Sequence, residues 1–288
     1  TLFVILIFFS NNSFAEYKWQ KELSASNSFY DEKGIPYSSD NITDKENTLL
    51  LIWNHGSGPD TQLDSCKKKQ KYGYRWELRV PPVILDLHNK KINKLEVKIF
   101  RLCSGVIGMS EKDQNKIRDL LKKGMEIDTY SELKQQKRQN IILSEVNKFL
   151  EDGFDNIIIG GHSAGGWASL NLMSRYPDKF KGAIAINPAF AGPKRYWNKI
   201  HPHWGFFRDE QIKEILQTDT LNALVFVHND DEFETPRTLS FLNNFNEIEI
   251  IDYSELKASE CSWADGDGKM PVQAGHDIPQ SSCFVNYE

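Results

Sequence analysis

Short, unbroken apolar runs recur along this chain with amphipathic stretches between them, and that alternation restricts the fold more than any other feature. Leu49–Trp53 has the pattern of a strand buried on both faces. Leu95–Leu102 alternates well enough for another strand. Ser131–Leu150 puts Ile141, Ile142, Val146, Phe149 and Leu150 at helical spacing, with Gly153 as its stop. Ile157–Ile159 is a β-branched run, and a helix from about Ala164 to Tyr176 follows it, ended by Pro177. Ala183–Ile186 and Leu221–Val227 are further buried runs, and Phe245–Tyr253 closes the series with Ile248, Ile250 and Ile251. Buried strands separated by helices predict an α/β chain with a mostly parallel central sheet and helices on both faces.

Composition removes other classes. The chain has 288 residues, 40% hydrophobic and 26% charged. Those values exclude a disordered chain, a collagen-like chain and a polytopic membrane protein. Length alone suggests one large domain or two small ones, at about 150 residues each, with enough chain to fold without a metal or disulfide. Lys and Arg number 35 against 40 Asp and Glu, a formal charge of -5. That balance gives no electrostatic reason to expect nucleic acid or an anionic membrane as partner. No internal repeat or low-complexity tract is visible.

Leu2–Phe9 is an apolar run followed by Ser10–Ser13, Phe14, Ala15 and the first charge, Glu16. Ser13 and Ala15 fit the small-x-small preference of signal peptidase. The run is too short to span a bilayer, which takes about 20 residues in a helix. Residues 1–15 are therefore expected to be a signal peptide that begins part-way through, and the mature chain to be secreted or periplasmic without stable membrane insertion. Removing them takes away no charge. The 4 cysteines, Cys66, Cys103, Cys261 and Cys283, have no CxxC spacing. Of the three connectivities, Cys66 with Cys103 and Cys261 with Cys283 closes two local loops. Residues 16–47 are polar, with Gly34 and Pro36, and read as an extended lead-in segment.

The chemistry lies between the Ile157–Ile159 strand and the next helix, in Gly160-Gly161-His162-Ser163-Ala164-Gly165-Gly166. This holds a Gly-x-Ser-x-Gly in the strand-to-helix context of a nucleophile elbow. So sharp a turn strains the serine backbone, and side chains two positions to either side would collide; glycine removes the collision. The strain aims the Ser163 hydroxyl above the sheet edge, and the Ala164 N–H at the helix start faces any developing negative charge. There is no GxGxxG spacing and no Lys-Ser/Thr ending, so a phosphate loop is a poor reading.

From about Leu49 to His276 the sequence resembles the α/β-hydrolase family. Leu50-Leu51-Ile52-Trp53-Asn54-His55-Gly56-Ser57-Gly58 is similar to the family's strand and oxyanion loop. That match implies the Ser57 N–H as an oxyanion donor beside Ala164. Leu224–Asp231 resembles the strand end that carries the family's acid, and Gly275-His276 the loop that presents its base. The resemblance implies an α/β-hydrolase domain over 48–288 with a small cap insertion at about 188–217. Dienelactone-hydrolase-like and secreted-esterase branches are the most similar. The usual dienelactone enzymes have a Cys nucleophile, and Ser163 here counts against that substrate.

The order Ser163, Asp231, His276 is the family's order. Spacing favours Asp231 as the acid, with Asp230 and Glu232 also open. Among 7 histidines, His276 lies after the last strand, where a base belongs. His55 and His162 sit inside scaffold motifs, and His228 precedes the acid, at a strand end. A disulfide between Cys261 and Cys283 would stiffen the loop carrying His276. Residues 188–217 hold Tyr196, Trp197, Trp204, Phe206 and Phe207, which either bind an apolar substrate group or form the insertion's own core. His201 and His203 lack a zinc pattern, and Asp265-Gly266-Asp267-Gly268 lacks the glutamate of an EF-hand, so it reads as a turn.

The expected activity is a secreted serine hydrolase acting on a small or polymeric carboxylic ester, with no metal or organic cofactor needed. A serine peptidase or acyltransferase would use the same residues, and a binding protein on the same scaffold would use none of them. Oligomeric state and acyl chain length are not written in the sequence.

Overall fold

The computed structural model describes residues 28–30, 36–37, 42–56, 80–102, 134–197, 203–262 and 274–285. Residues 1–15, Ser57, Cys66, Cys103, His201 and Asp265–Gly268 lie outside the described residues, as does most of 16–47.

Among the described residues the strands are β1 (Ser28–Tyr30), β2 (Pro36–Tyr37), β3 (Thr48–Asn54), β4 (Lys91–Ile92), β5 (Leu95–Leu102), β6 (Ile157–His162), β7 (Gly182–Ile186), β8 (Ala223–Val227) and β9 (Ile248–Asp252). They form a 9-stranded sheet in the order β2-β1-β5-β3-β6-β7-β8-β9, with β4 paired to β5. The strands from β5 to β9 in that order pair in parallel, while β1 and β4 meet β5 antiparallel. Helices are α1 (Pro82–Leu85), α2 (Lys134–Glu151), α3 (Ala164–Arg175), α4 (His203–Ile215) and α5 (Ser282–Val285).

The side-chain alternation of β3 divides the core. Leu50 and Ile52 face a cluster with Ile142, Val146 and Phe149 of α2, Trp167 and Leu170 of α3, and Phe207 and Ile215 of α4. Leu49, Leu51 and Trp53 face the other side, with Val80, Ile84, Val97 and Ile99. A sheet buried on both sides has no solvent face, which is why its strands read as continuous apolar runs. Gly153, at φ +93°, ends α2 in the left-handed region, and the N–H of Phe154 returns to the carbonyl of Phe149 at 3.0 Å. This is an α/β-hydrolase fold.

Cys261 and Cys283 form a disulfide. Closing a loop of 22 residues contributes about 3 kcal/mol by restricting the unfolded chain. Among the described residues, no helix is long and apolar enough to cross a membrane.

Candidate active site

Parallel strands bring their C-terminal ends to one rim, and ligands in open α/β sheets bind outside that rim. Here the rim carries His55–Gly56 after β3, Ser163 after β6 and Asp231 after β8.

Ser163 joins β6 to α3 with φ 56° and ψ -124°, a conformation that costs a non-glycine residue about 1–3 kcal/mol. The steric reading of its glycines holds in atomic detail. A β-carbon on Gly161 would stand 2.5 Å from the Gly165 carbonyl carbon, and one on Gly165 would stand 2.2 Å from the Asn54 carbonyl oxygen. Three backbones therefore pass each other without room for a methyl group. Ala164 is the first residue of α3, so its N–H has no acceptor within the helix.

His276 stands in a short 3-10 helix, Gly275–Gln280, and is 5% exposed. Its Nδ1 donates to Asp231 Oδ2 at 2.7 Å, so the basic nitrogen is Nε2. The other Asp231 oxygen accepts the Phe233 N–H at 2.7 Å, and the Phe233 ring lies 4.2 Å from the imidazole. Asp231 is 4% exposed, whereas Asp230 is exposed and Glu232 pairs with Arg195. The structure thus brings Asp231 to the ring. Burial alone would lower the His276 pKa; the charge of Asp231 and its hydrogen bond, helped by Asp277 and Glu232, outweigh burial and raise it.

The other histidines take supporting positions. His162 Nε2 donates to the His276 carbonyl at 2.8 Å. Burial, then the proximity of His276, lowers its pKa to about 3, so it stays neutral. His228 accepts the Asp230 N–H on Nδ1 at 3.0 Å and donates from Nε2 to the Leu256 carbonyl at 2.8 Å. Asn187, absent from the sequence reading, donates to the His276 carbonyl at 3.1 Å and to the Tyr253 hydroxyl. That hydroxyl donates to the Gly275 carbonyl at 3.3 Å. Asn187, Tyr253 and His162 together grip the peptide units that carry the imidazole. Among the described residues no hydrogen bond joins the Ser163 hydroxyl to the His276 ring. His162, next to Ser163 in the chain, has its ring centroid 4.7 Å from that of His276.

Residues 188–217 include a 3-10 turn, Lys194–Tyr196, and α4. Phe207 is buried, Trp197 and Trp204 pack against the core, and Phe206 is 45% exposed. Arg208 of α4 makes a two-pronged ion pair with Glu234, at 2.7 and 2.9 Å, and Lys194 reaches the same carboxylate at 3.0 Å. The segment is so clasped to the loop that carries Asp231. A groove of about 590 Å³ lined by Arg175, Tyr176 and Glu214 lies at the far end of α3 and contains none of Ser163, Asp231 and His276.

Sheet order and the tight strand-to-helix turn at Ser163 are those of the α/β-hydrolase fold, with the paired His276 and Asp231 at the same rim. The family model described as "Serine aminopeptidase, S33" matches residues 141–235, from α2 to the loop beyond β8. The comparison with curated proteins gives no match. Among solved structures the chain is similar to Est1E from Butyrivibrio proteoclasticus with ferulic acid bound, at 15% identity over 78% of this chain and 88% of that one, TM-score 0.46. It is also similar to a putative dipeptidyl aminopeptidase IV from Bacteroides ovatus, at 16% identity over 74% of this chain, TM-score 0.46. Dipeptidyl peptidase 4 of Porphyromonas gingivalis matches at 14% identity over 80% of this chain, TM-score 0.48. The chain spans 29% and 31% of those two peptidases.

Proposed function

We propose that this protein hydrolyses carboxylic esters through an acyl-enzyme on Ser163. The observation that carries the reading is the buried hydrogen bond between His276 and Asp231, on the rim where Ser163 is held at positive φ. Ser163 Oγ adds to the ester carbonyl as His276 Nε2 takes its proton, and Asp231 stabilises the imidazolium. The oxyanion is held by the N–H groups of Ser57 and Ala164. As the tetrahedral intermediate collapses, the C–O bond to the alcohol breaks and His276 returns the proton to the leaving oxygen. Water, deprotonated by the same nitrogen, then releases the acid. Hydrogen bonds of this type are often long without substrate and tighten in the Michaelis complex, so a Ser163–His276 hydrogen bond is expected to form when an ester binds.

The choice of ester over amide follows the family resemblance. The aminopeptidase description of the matching family model favours a second reading, a peptidase with the same three residues. Export from the cytosol is supported by the disulfide and the apolar leader. A panel of acyl esters of graded length, aromatic polyesters and peptide anilides separates the two activities. A fluorophosphonate is expected to add one phosphonyl group at Ser163, read by mass spectrometry; an unlabelled Ser163 in folded protein rules out the hydrolase.

The labelling rate also has a defined pH dependence. Below the raised pKa of His276 the ring is an imidazolium and accepts no proton, so the rate falls on the acid side. That limb is expected above pH 6.5, the ordinary histidine value. Asp231→Asn removes the two largest contributions that raise the pKa and leaves burial opposed only by Asp277 and Glu232, so the limb moves to lower pH. A limb that ignores Asp231 would argue against the assigned base.

A further inference from the structure

Arg138, on α2, is 1% exposed, and among the described residues no carboxylate pairs with it. It donates instead to two backbone carbonyls, those of His55 and, at 3.3 Å, Gly56. Among the described residues its Nε has no partner. The pairing of β3 with β5 and β6 stops at Asn54, so these carbonyls lie just beyond the sheet ladder. Gly56 in turn lies against the nucleophile: a β-carbon on it would be 3.2 Å from Ser163 Cβ. One turn earlier on α2, Gln135 does a similar task without charge, donating to the carbonyls of Ala164 at 3.3 Å and Phe190 at 3.2 Å.

A buried cation without a counter-charge is costly, and a neutral amide next door shows that carbonyls here are satisfied without one. Burial lowers the guanidinium pKa to about 9, which still leaves it charged at neutral pH. A positive charge here is separated from Ser163 by a single residue of backbone.

We infer that Arg138 is a positioning residue for acyl transfer: it fixes the end of β3 against Ser163 and places a permanent positive charge behind the developing oxyanion. The inference rests on the hydrolytic reading above. When Ser163 adds to the carbonyl, the π electron pair moves onto oxygen, and the guanidinium field favours that charged state over the neutral ester. An interaction made only in the transition state raises kcat and leaves KM alone.

Two variants test it, with p-nitrophenyl ester turnover, fluorophosphonate labelling and thermal melting as readouts. Arg138→Gln keeps donors and loses the charge; kcat is expected to fall about 100-fold with KM held and the melting temperature kept. Arg138→Lys keeps the charge with a poorer reach, and is expected to lose only about 10-fold. Should Arg138→Gln not fold, the lysine variant alone decides, by a lower kcat at constant KM. A purely structural role predicts the opposite order, because the neutral donor is the cheaper one to bury. Glutamine equal to or better than lysine, or a loss confined to KM, overturns the inference while the hydrolase stands. Wild-type protein that takes neither ester nor fluorophosphonate overturns both.

Discussion

Ser163→Ala is expected to lower kcat on short p-nitrophenyl esters by about 10⁶-fold, the loss seen when a triad nucleophile is removed. Its fold should survive, because the substitution deletes one oxygen that makes no hydrogen bond to a described residue. The change in stability should stay within about 0.5 kcal/mol. Asp231→Asn should cost less, about 10⁴-fold, since the nucleophile and oxyanion donors remain while the imidazole loses the partner that fixes its tautomer. The order matters as much as the sizes. Folded Ser163→Ala protein with near wild-type ester turnover would remove Ser163 from the chemistry and the acyl-enzyme with it.

Gly165→Ala carries the largest expected structural effect. Its new methyl would stand 2.2 Å from the Asn54 oxygen and 2.6 Å from that of His55. Both are backbone atoms, so neither swings aside; α3 must part from β3. Overpacking of this kind costs about 1–3 kcal/mol and occasionally more, and a clash with main chain belongs at the upper end. Activity should fall with stability, because the atoms displaced border Ser163. Gly182→Ala is the internal control: its nearest neighbour is the Asn222 side-chain nitrogen at 3.4 Å, an ordinary contact. Urea titration of both variants reads the difference. Equal midpoints would mean that the elbow is looser than its glycines imply.

The parallel core was legible because Leu49–Trp53, Ile157–Ile159, Ala183–Ile186 and Leu221–Val227 are buried on both faces and so carry almost no polar residues. Their ends were less so. β6 runs on through Gly160 and Gly161 to His162, since Gly161 pairs with Ala185 and His162 with Ile186, although glycines read as a turn. The antiparallel strands β1, β2 and β4 went unseen: β1 is short and finds its partner in Arg101 and Phe100, far along the chain, which no local periodicity reports. Within the site, spacing pointed to Ser163 and His276. Spacing favoured Asp231 but left Asp230 and Glu232 open, because neighbouring carboxylates differ only in where the turn after β8 points them. Asn187, Tyr253 and Arg138 act on main-chain carbonyls remote in sequence, and such pairings leave no motif. Asn187 and Tyr253 do stand at strand ends, the one signal that marked them.

The ion pair between Arg208 and Glu234 limits how the segment over 188–217 is exchanged. Glu234 is 2% exposed, and a dehydrated carboxylate that loses its guanidinium costs about 3–5 kcal/mol. A replacement segment that brings neither this arginine nor Lys194 would strand that anion, three residues from Asp231 in the same loop. Exchanging the segment therefore means moving donors and acceptor as one cassette, or replacing them together by apolar groups.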